Sequence, residues 1–321
     1  MILAYLAEPK YGGWVTFTAH LALSLEQCGV RTQIRKEGKA TKPKEYSHGL
    51  YSFAVPQEAL IHSARETLIT AVDKHNLATA EQMLMNGAAI VLHDPNEFHP
   101  RLFEIIVRKK TPVIAIRETV KRALAQHGIN STVIAHPFTS QFSGKLEKTS
   151  HACSYSRVDF DKHTEIIIEA NKALGFKQAV KIYGAMNRMY EYLKLREVDS
   201  NWQRNYYGTF PLAADAAERI AAKNLFTVDL SIIKNDGGGT QYTFLEAWAQ
   251  GSHLIVHRKW LLPDDVMQDG VNCTAISNAA ELIQILSRGP SAQIVEESAR
   301  FLEKHSSKRV IAQLQETCKF E

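Results

Sequence analysis

Apolar and polar positions along this chain alternate between two rhythms. Short apolar runs that suit buried strands are followed by stretches whose apolar residues fall three and four apart, as on one face of a helix. Ile2–Leu6 predicts a strand, Tyr11-Gly12-Gly13-Trp14 a tight loop, Thr16–Gln27 a helix closed by Gly29, and Val30–Ile34 a second strand. A strand over Leu50–Val55 and a helix over Thr79–Asn86 come next. They are followed by strand Ala88–Leu92, helix Arg101–Lys109, strand Pro112–Ile116, helix Glu118–His127 and strand Ser131–Ala135. Residues Thr139–Thr149 are polar and aperiodic, and read as an interdomain linker.

A second series then begins. Strand His151–Ser156, helix Thr164–Leu174, strand Ala179–Tyr183 ending at Gly184, and helix Met186–Leu195 are predicted in turn. Asn205–Phe210 reads as a short strand and Leu212–Lys223 as an alanine-rich helix; Asn278–Arg288 and Ala292–Gln315 read as amphipathic helices. No internal repeat and no low-complexity tract interrupts either series. Strands alternating with helices predict parallel sheets.

The centre of the second series is Asp236-Gly237-Gly238-Gly239-Thr240-Gln241, between the apolar run Leu225–Ile233 and a helical pattern that carries Glu246. Glycines let the backbone approach a ligand, and a helix start offers N–H groups and a positive dipole end to an anion. Glu246 falls about one and a half turns past Thr240 at ~3.6 residues per turn, so it can face what the loop holds.

With 321 residues the chain is long enough for two domains, and 45% hydrophobic and 22% charged residues are those of an ordinary globular protein. The start has no basic region of the kind a signal peptide carries, and no apolar run approaches the ~18 residues of a membrane span. Cys28, Cys153, Cys273 and Cys318 stand far apart, as reduced thiols of a cytoplasmic protein do, which argues against a zinc site or a disulfide framework. The formal net charge of +4 permits an anionic partner without requiring one.

Chemistry gathers at predicted strand ends. His93-Asp94-Pro95 follows strand Ala88–Leu92, where catalytic groups sit in such sheets, and either side chain can act as a general base. The loop Arg35–Lys44, with Lys39, Lys42 and Lys44, can grip phosphates or remain a solvated basic loop. The Gly12-Gly13 loop is too short for a dinucleotide fingerprint, so a nicotinamide cofactor is not expected.

Several of these segments resemble one family. Ser156-Arg157-Val158-Asp159-Phe160-Asp161-Lys162-His163 after a strand resembles the start of the second domain of GT-B-fold glycosyltransferases. Leu245-Glu246-Ala247-Trp248-Ala249-Gln250-Gly251 resembles a Glu-Ala-x-Ala-x-Gly segment downstream. Asp269-Gly270-Val271-Asn272 is similar to a later turn, Gly12-Gly13 to a glycine loop near the diphosphate, and His93-Asp94 to a segment facing the acceptor. The resemblance implies an α/β GT-B fold: two Rossmann-like domains, 1–140 on the acceptor side and 141–321 on the nucleotide-sugar side, facing a central cleft. A C-terminal helix would pack back on the first domain.

It implies that Arg157 and Lys162 hold the diphosphate of a nucleotide-sugar, with Gly12, Gly13, Gly184, Gly238, Gly239, Thr240 and Gln241 around it and Glu246 on the ribose. A UDP-sugar is the favoured donor. The scheme needs no metal and no cofactor, and Asp159-x-Asp161 reads as helix caps. Retaining members place an acid where this chain has Gly238, so the stereochemical outcome stays open: an inverting transfer would use Asp94 as base, and a retaining one the departing phosphate oxygen.

The wording of the two longer motifs is also similar to glycosyltransferases of viruses of bacteria, some of which modify hydroxymethylated DNA bases. That implies double-stranded DNA as a partner, reached through the basic loops and an aromatic such as Trp14, Tyr51, Phe98 or Phe138. Saccharide, lipid-linked and small-molecule acceptors stay open, as do an epimerase of this architecture and a non-catalytic nucleotide- or DNA-binding module.

Overall fold

The computed structural model describes residues 1–8, 12–36, 44–48, 51–55, 66–94, 99–175, 177–211, 213–233 and 236–319, with 44–48, 51 and 53–55 described by their backbone. The chain divides into two compact units, Met1–Thr139 with Lys304–Glu321, and Ser140–Glu303.

The first unit is built on an eight-stranded sheet. In chain order its elements are β1 (Ile2–Leu6), α1 (Gly13–Gln27), β2 (Gln33–Lys36), β3 (Lys44–His48), β4 (Tyr51–Val55), β5 (Thr67–Val72), α2 (Leu77–Met85), β6 (Ala89–Leu92), α3 (Pro100–Lys109), β7 (Val113–Ala115), α4 (Glu118–Gln126) and β8 (Thr132–Val133). The strand order is β3-β4-β2-β1-β5-β6-β7-β8. All neighbours pair in parallel except β3 and β4, an antiparallel hairpin at one edge where the sequence pattern predicted a single strand. β5 pairs with β1 and β6 in the middle of the sheet. Its run Thr67-Leu68-Ile69-Thr70-Ala71-Val72 is almost wholly buried, as strands covered on both faces are.

Local chemistry sets the ends. Pro100 opens α3, where its missing N–H costs no hydrogen bond, and Lys110 closes it in the left-handed conformation. α1 begins at Gly13, so Gly13 and Trp14 belong to its first turn rather than to a preceding loop.

The second unit carries a five-stranded, all-parallel sheet of order β10-β9-β11-β12-β13. Its strands are β9 (Ser150–Ser154), β10 (Val180–Ile182), β11 (Asn224–Asp229), β12 (His253–His257) and β13 (Thr274–Ile276). Its helices are α5 (Thr164–Ala173), α6 (Arg188–Tyr190), α7 (Arg196–Val198), α8 (Ala216–Ala222), α9 (Tyr242–Ala249), α10 (Ala279–Arg288) and α11 (Ala292–Phe301), and a π-helical turn, Glu191–Leu195, joins α6 to α7. Ile167, Ile168, Val180, Ile182, Phe226, Val228, Ile255 and Leu282 pack as one buried core. Asn278 caps α10 by accepting from the Glu281 amide at 3.0 Å.

Two expectations fail here. Asn205–Phe210 is not a strand: only Tyr206 bridges to Ile182, after a 3-10 turn at Trp202–Asn205 and before Gly208 at φ 78°. The long helix predicted over Ala292–Gln315 breaks at a 3-10 turn, Leu302–His305, after which α12 (Ser307–Cys318) starts afresh. There His305 is buried, its ring nitrogen Nδ1 lying 2.7 Å from the His136 carbonyl oxygen. α12 packs on α1, with the Ser307 hydroxyl donating to Gln27 Oε1 at 2.7 Å.

Candidate donor site in the second unit

Parallel α/β sheets place ligands at the carboxyl ends of their strands. At that end of the second unit the loop after β9 folds over the loop after β10. A Cβ on Gly184, at φ 131°, would fall 2.0 Å from the carbonyl oxygen of Ser156. Only glycine lets the two backbones meet this closely. Val158 and Met186 form a bridge just beyond, and the Asn187 amide side chain donates to Asp159 at 2.8 Å. Gly184 therefore packs against the backbone where Ser156 joins Arg157.

Arg157 is exposed and forms ion pairs with Asp159 and Asp161, each at 3.1 Å. Asp159 also accepts from the Phe160 amide at 2.8 Å, which makes it the cap of the turn Phe160–Lys162. The two aspartates thus act as cap and counter-charge. Among the described residues no group of three or more His, Cys, Asp or Glu is arranged to hold a metal.

Lys162 is buried, and its ammonium donates to the Ser231 hydroxyl and, at 3.3 Å, to Gln241 Oε1. Asp229, at the end of β11, lies 3.9 Å away and accepts a hydrogen bond from the Ser231 hydroxyl. Asp229 Oδ2 and Gln241 Nε2 are buried with no hydrogen-bond partner. Buried polar atoms are normally satisfied, so these two mark a place prepared for polar contact. Asp229 and Ser231 were missed in the sequence. The signal was a polar pair, Asp229 and Ser231, inside an otherwise apolar strand run.

Thr240 is buried and Gln241 precedes the first turn of α9. Glu246, about one and a half turns on, is half-buried. Burial, with the carboxylates of Glu218 and Asp229 nearby, pushes its carboxyl well above the usual range. The Gly239 amide was expected to face the diphosphate. Here it donates to the Asp265 carboxylate instead. Arg157, Lys162, Gly184, Gly238, Gly239, Thr240, Gln241 and Glu246 all belong to loops and one helix at this end of the sheet.

The remaining candidates belong to the first unit. Gly12, at φ 147°, and Gly13 open α1, and a Cβ on either would meet nothing within 4 Å. Trp14 is half-buried with its ring 6.4 Å from that of His93. His93 follows β6 and is buried, with Nε2 2.7 Å from the Thr70 carbonyl oxygen. A carbonyl only accepts, so Nε2 carries the proton and Nδ1 the lone pair. Burial holds the His93 imidazole down at about 4, which keeps it neutral and makes it a weak base at neutral pH. Arg117 donates to the His93 carbonyl oxygen at 2.9 Å and is buried. Asp94 is half-buried beside it. Phe138 is buried in the core. Lys39, Lys42 and Phe98 lie outside the described residues, and the side chains of Lys44 and Tyr51 do as well.

No family model matches the chain, and no curated protein matches it. Solved structures do. Anabaena HepE, crystallised with UDP and glucose, is 14% identical with a TM-score of 0.70, and the alignment covers 99% of each chain. An alpha-glucosyltransferase in complex with UDP-glucose and DNA containing an abasic site is 14% identical with a TM-score of 0.69, again over 99% of each chain. Staphylococcus aureus TarM, solved as a G117R mutant with fondaparinux, alpha-GlcNAc-glycerol and UDP, is 17% identical with a TM-score of 0.59; 79% of this chain aligns with 55% of that one. At such identities the likeness speaks to architecture, and this chain has the GT-B fold, two Rossmann-like α/β units in one polypeptide.

Proposed function

We propose that the protein is a glycosyltransferase that moves a sugar from a UDP-sugar to an acceptor hydroxyl, with a hydroxymethylated base in DNA as the favoured acceptor. The observation that carries the donor half is the buried Lys162 ammonium beside orphaned polar atoms of Asp229 and Gln241, at the start of α9. Lys162 and Arg157 neutralise the charge that develops on the leaving diphosphate, and Glu246 takes the ribose hydroxyls. Gly184 and Gly238 to Gln241 shape the backbone around them. The bond between the sugar's anomeric carbon and the phosphate oxygen breaks as the bond to the acceptor oxygen forms. In a retaining transfer the departing phosphate oxygen takes the acceptor proton; in an inverting one Asp94 takes it.

DNA is favoured because a structural neighbour of 11% identity, an alpha-glucosyltransferase, is bound to UDP and a 13-mer DNA containing an HMU base. Arg108, Lys109 and Lys110 are exposed on the first unit. A saccharide or small-molecule acceptor is the second reading, favoured by the likeness to HepE and TarM, whose crystals hold sugars or sugar conjugates. The test is incubation with UDP-glucose and DNA carrying hydroxymethylated pyrimidines, followed by mass spectrometry of the nucleosides. Glucosylated nucleoside confirms the reading. Release of UDP with saccharides but never with DNA transfers the assignment to the second.

A further inference from the structure

The glycine loop before α9 is moulded by another part of the second unit. Gly238 and Gly239 lie at φ 69° and 61°, in the left-handed region. The Gly238 amide donates to the Trp260 carbonyl oxygen at 2.7 Å, and the Trp260 indole N–H donates to the Gly239 carbonyl oxygen at 3.1 Å. The Gly239 amide donates to Oδ2 of Asp265. A Cβ on Gly238 would fall 2.3 Å from that same oxygen and 2.7 Å from Leu262 Cδ1, so the place a side chain would take at 238 is already filled by Asp265 and Leu262.

The mould comes from the stretch after β12. Trp260, 1% exposed, ends a 3-10 turn. Asp264 holds a left-handed φ of 59°, unusual for a non-glycine residue, immediately before Asp265. Residues kept in such conformations cluster at functional sites. The Asp265 carboxylate is steadied from its own side, where Oδ1 accepts from the Val266 amide at 2.7 Å; the backbone carbonyl oxygen of Asp265 accepts from Gln268 Nε2 at 3.3 Å.

We infer that Asp265 is a positioning residue for the donor: its carboxylate holds the Gly239 amide, and through it fixes Thr240 and Gln241, in the geometry the diphosphate meets. The inference rests on the glycosyltransferase reading above. Three consecutive glycines would otherwise sample many backbone states, and ordering them on binding would weaken affinity. Gln241, two residues after the clamped amide, meets the Lys162 ammonium, so a loop that drifts also releases the partner of the buried cation. Asp265 acts as an acceptor on the loop and need not touch the ligand.

The test uses the full chain with D265A and D265N, read by hydrogen exchange of the peptide spanning 237–241 and by calorimetric titration with UDP. In D265A the peptide exchanges faster and UDP binds about ten-fold more weakly. In D265N, whose amide oxygen can still accept from Gly239, both readouts return most of the way to wild type. Unchanged exchange in D265A overturns the clamp. Faster exchange with unchanged or tighter UDP binding overturns the role in donor binding and makes the carboxylate a mere occupant of the amide. If wild type binds no nucleoside diphosphate, the glycosyltransferase reading fails and Asp265 has no donor to position; exchange then reports only whether the clamp on the loop exists.

Discussion

The Lys162 ammonium and the Asp229 carboxylate lie 3.9 Å apart with the Ser231 hydroxyl bonded to both. This buried pair distinguishes Lys162 from Arg157, whose ion pairs to Asp159 and Asp161 are exposed. K162M therefore leaves a buried carboxylate without its cation and lowers stability by about 2 kcal/mol or more, whereas R157A changes it by less than ~1 kcal/mol. Both variants weaken UDP binding. Urea denaturation and calorimetric titration of the same preparations check the two halves of this expectation.

Gly184 against Ser156 gives a sharper contrast. G184A forces a methyl to 2.0 Å from a backbone carbonyl at a φ that L residues avoid, and costs at least ~3 kcal/mol. G13A, where a Cβ meets open space in the first turn of α1, leaves stability within ~1 kcal/mol of wild type. Thermal unfolding of the two variants side by side measures the difference.

Glu246 predicts a trade between stability and binding. Its folded carboxyl titrates above the unfolded value, through burial first and then Glu218 and Asp229. The stability it contributes is complete below the unfolded pKa of 4.5 and is lost as pH rises through the folded value. E246Q removes that loss, so its melting temperature exceeds wild type by a margin that grows with pH. At the same time its affinity for UDP falls about ten-fold, as one accepting carboxylate on the ribose is lost. A margin that shrinks with pH would contradict the assignment.

Buried histidines make the first unit acid-sensitive. Burial holds His20 down at about 3, and His93 and His305 at about 4, from an ordinary 6.5. The unfolded chain takes up these protons first, so stability is full above 6.5 and falls as pH drops from there toward 4. Each such group contributes a slope of up to ~1.4 kcal/mol per pH unit. H305Q flattens the decline in a pH series of urea midpoints; an unchanged slope would argue that His305 is already protonated in the fold.

Much of this was legible in the sequence, for specific reasons. Long periodic helices such as α3 and α5, and buried runs such as β1 and β12, carry their own signal, and Arg157, Lys162 and Glu246 were visible as motifs. β5 was overlooked although its β-branched run is plain, and β13 is too short to read. Asn205–Phe210 has strand composition, but the turn before it and Gly208 limit it to one bridge. The break before α12 leaves no proline or glycine to announce it; it falls at His305, which is buried against the His136 carbonyl oxygen. Asp265 was invisible because its role depends on meeting Gly239 across 26 residues of chain. Where contacts are long-range, local pattern gives no warning.

The central claim is that the second unit binds a nucleoside diphosphate through Lys162. Calorimetric titration of UDP into wild type and K162M tests it most directly. The account predicts saturable one-to-one binding to wild type and a loss of about 50-fold or more in K162M, the worth of a charge-assisted bond to phosphate. Absence of binding to wild type, or equal binding to both proteins, would contradict it.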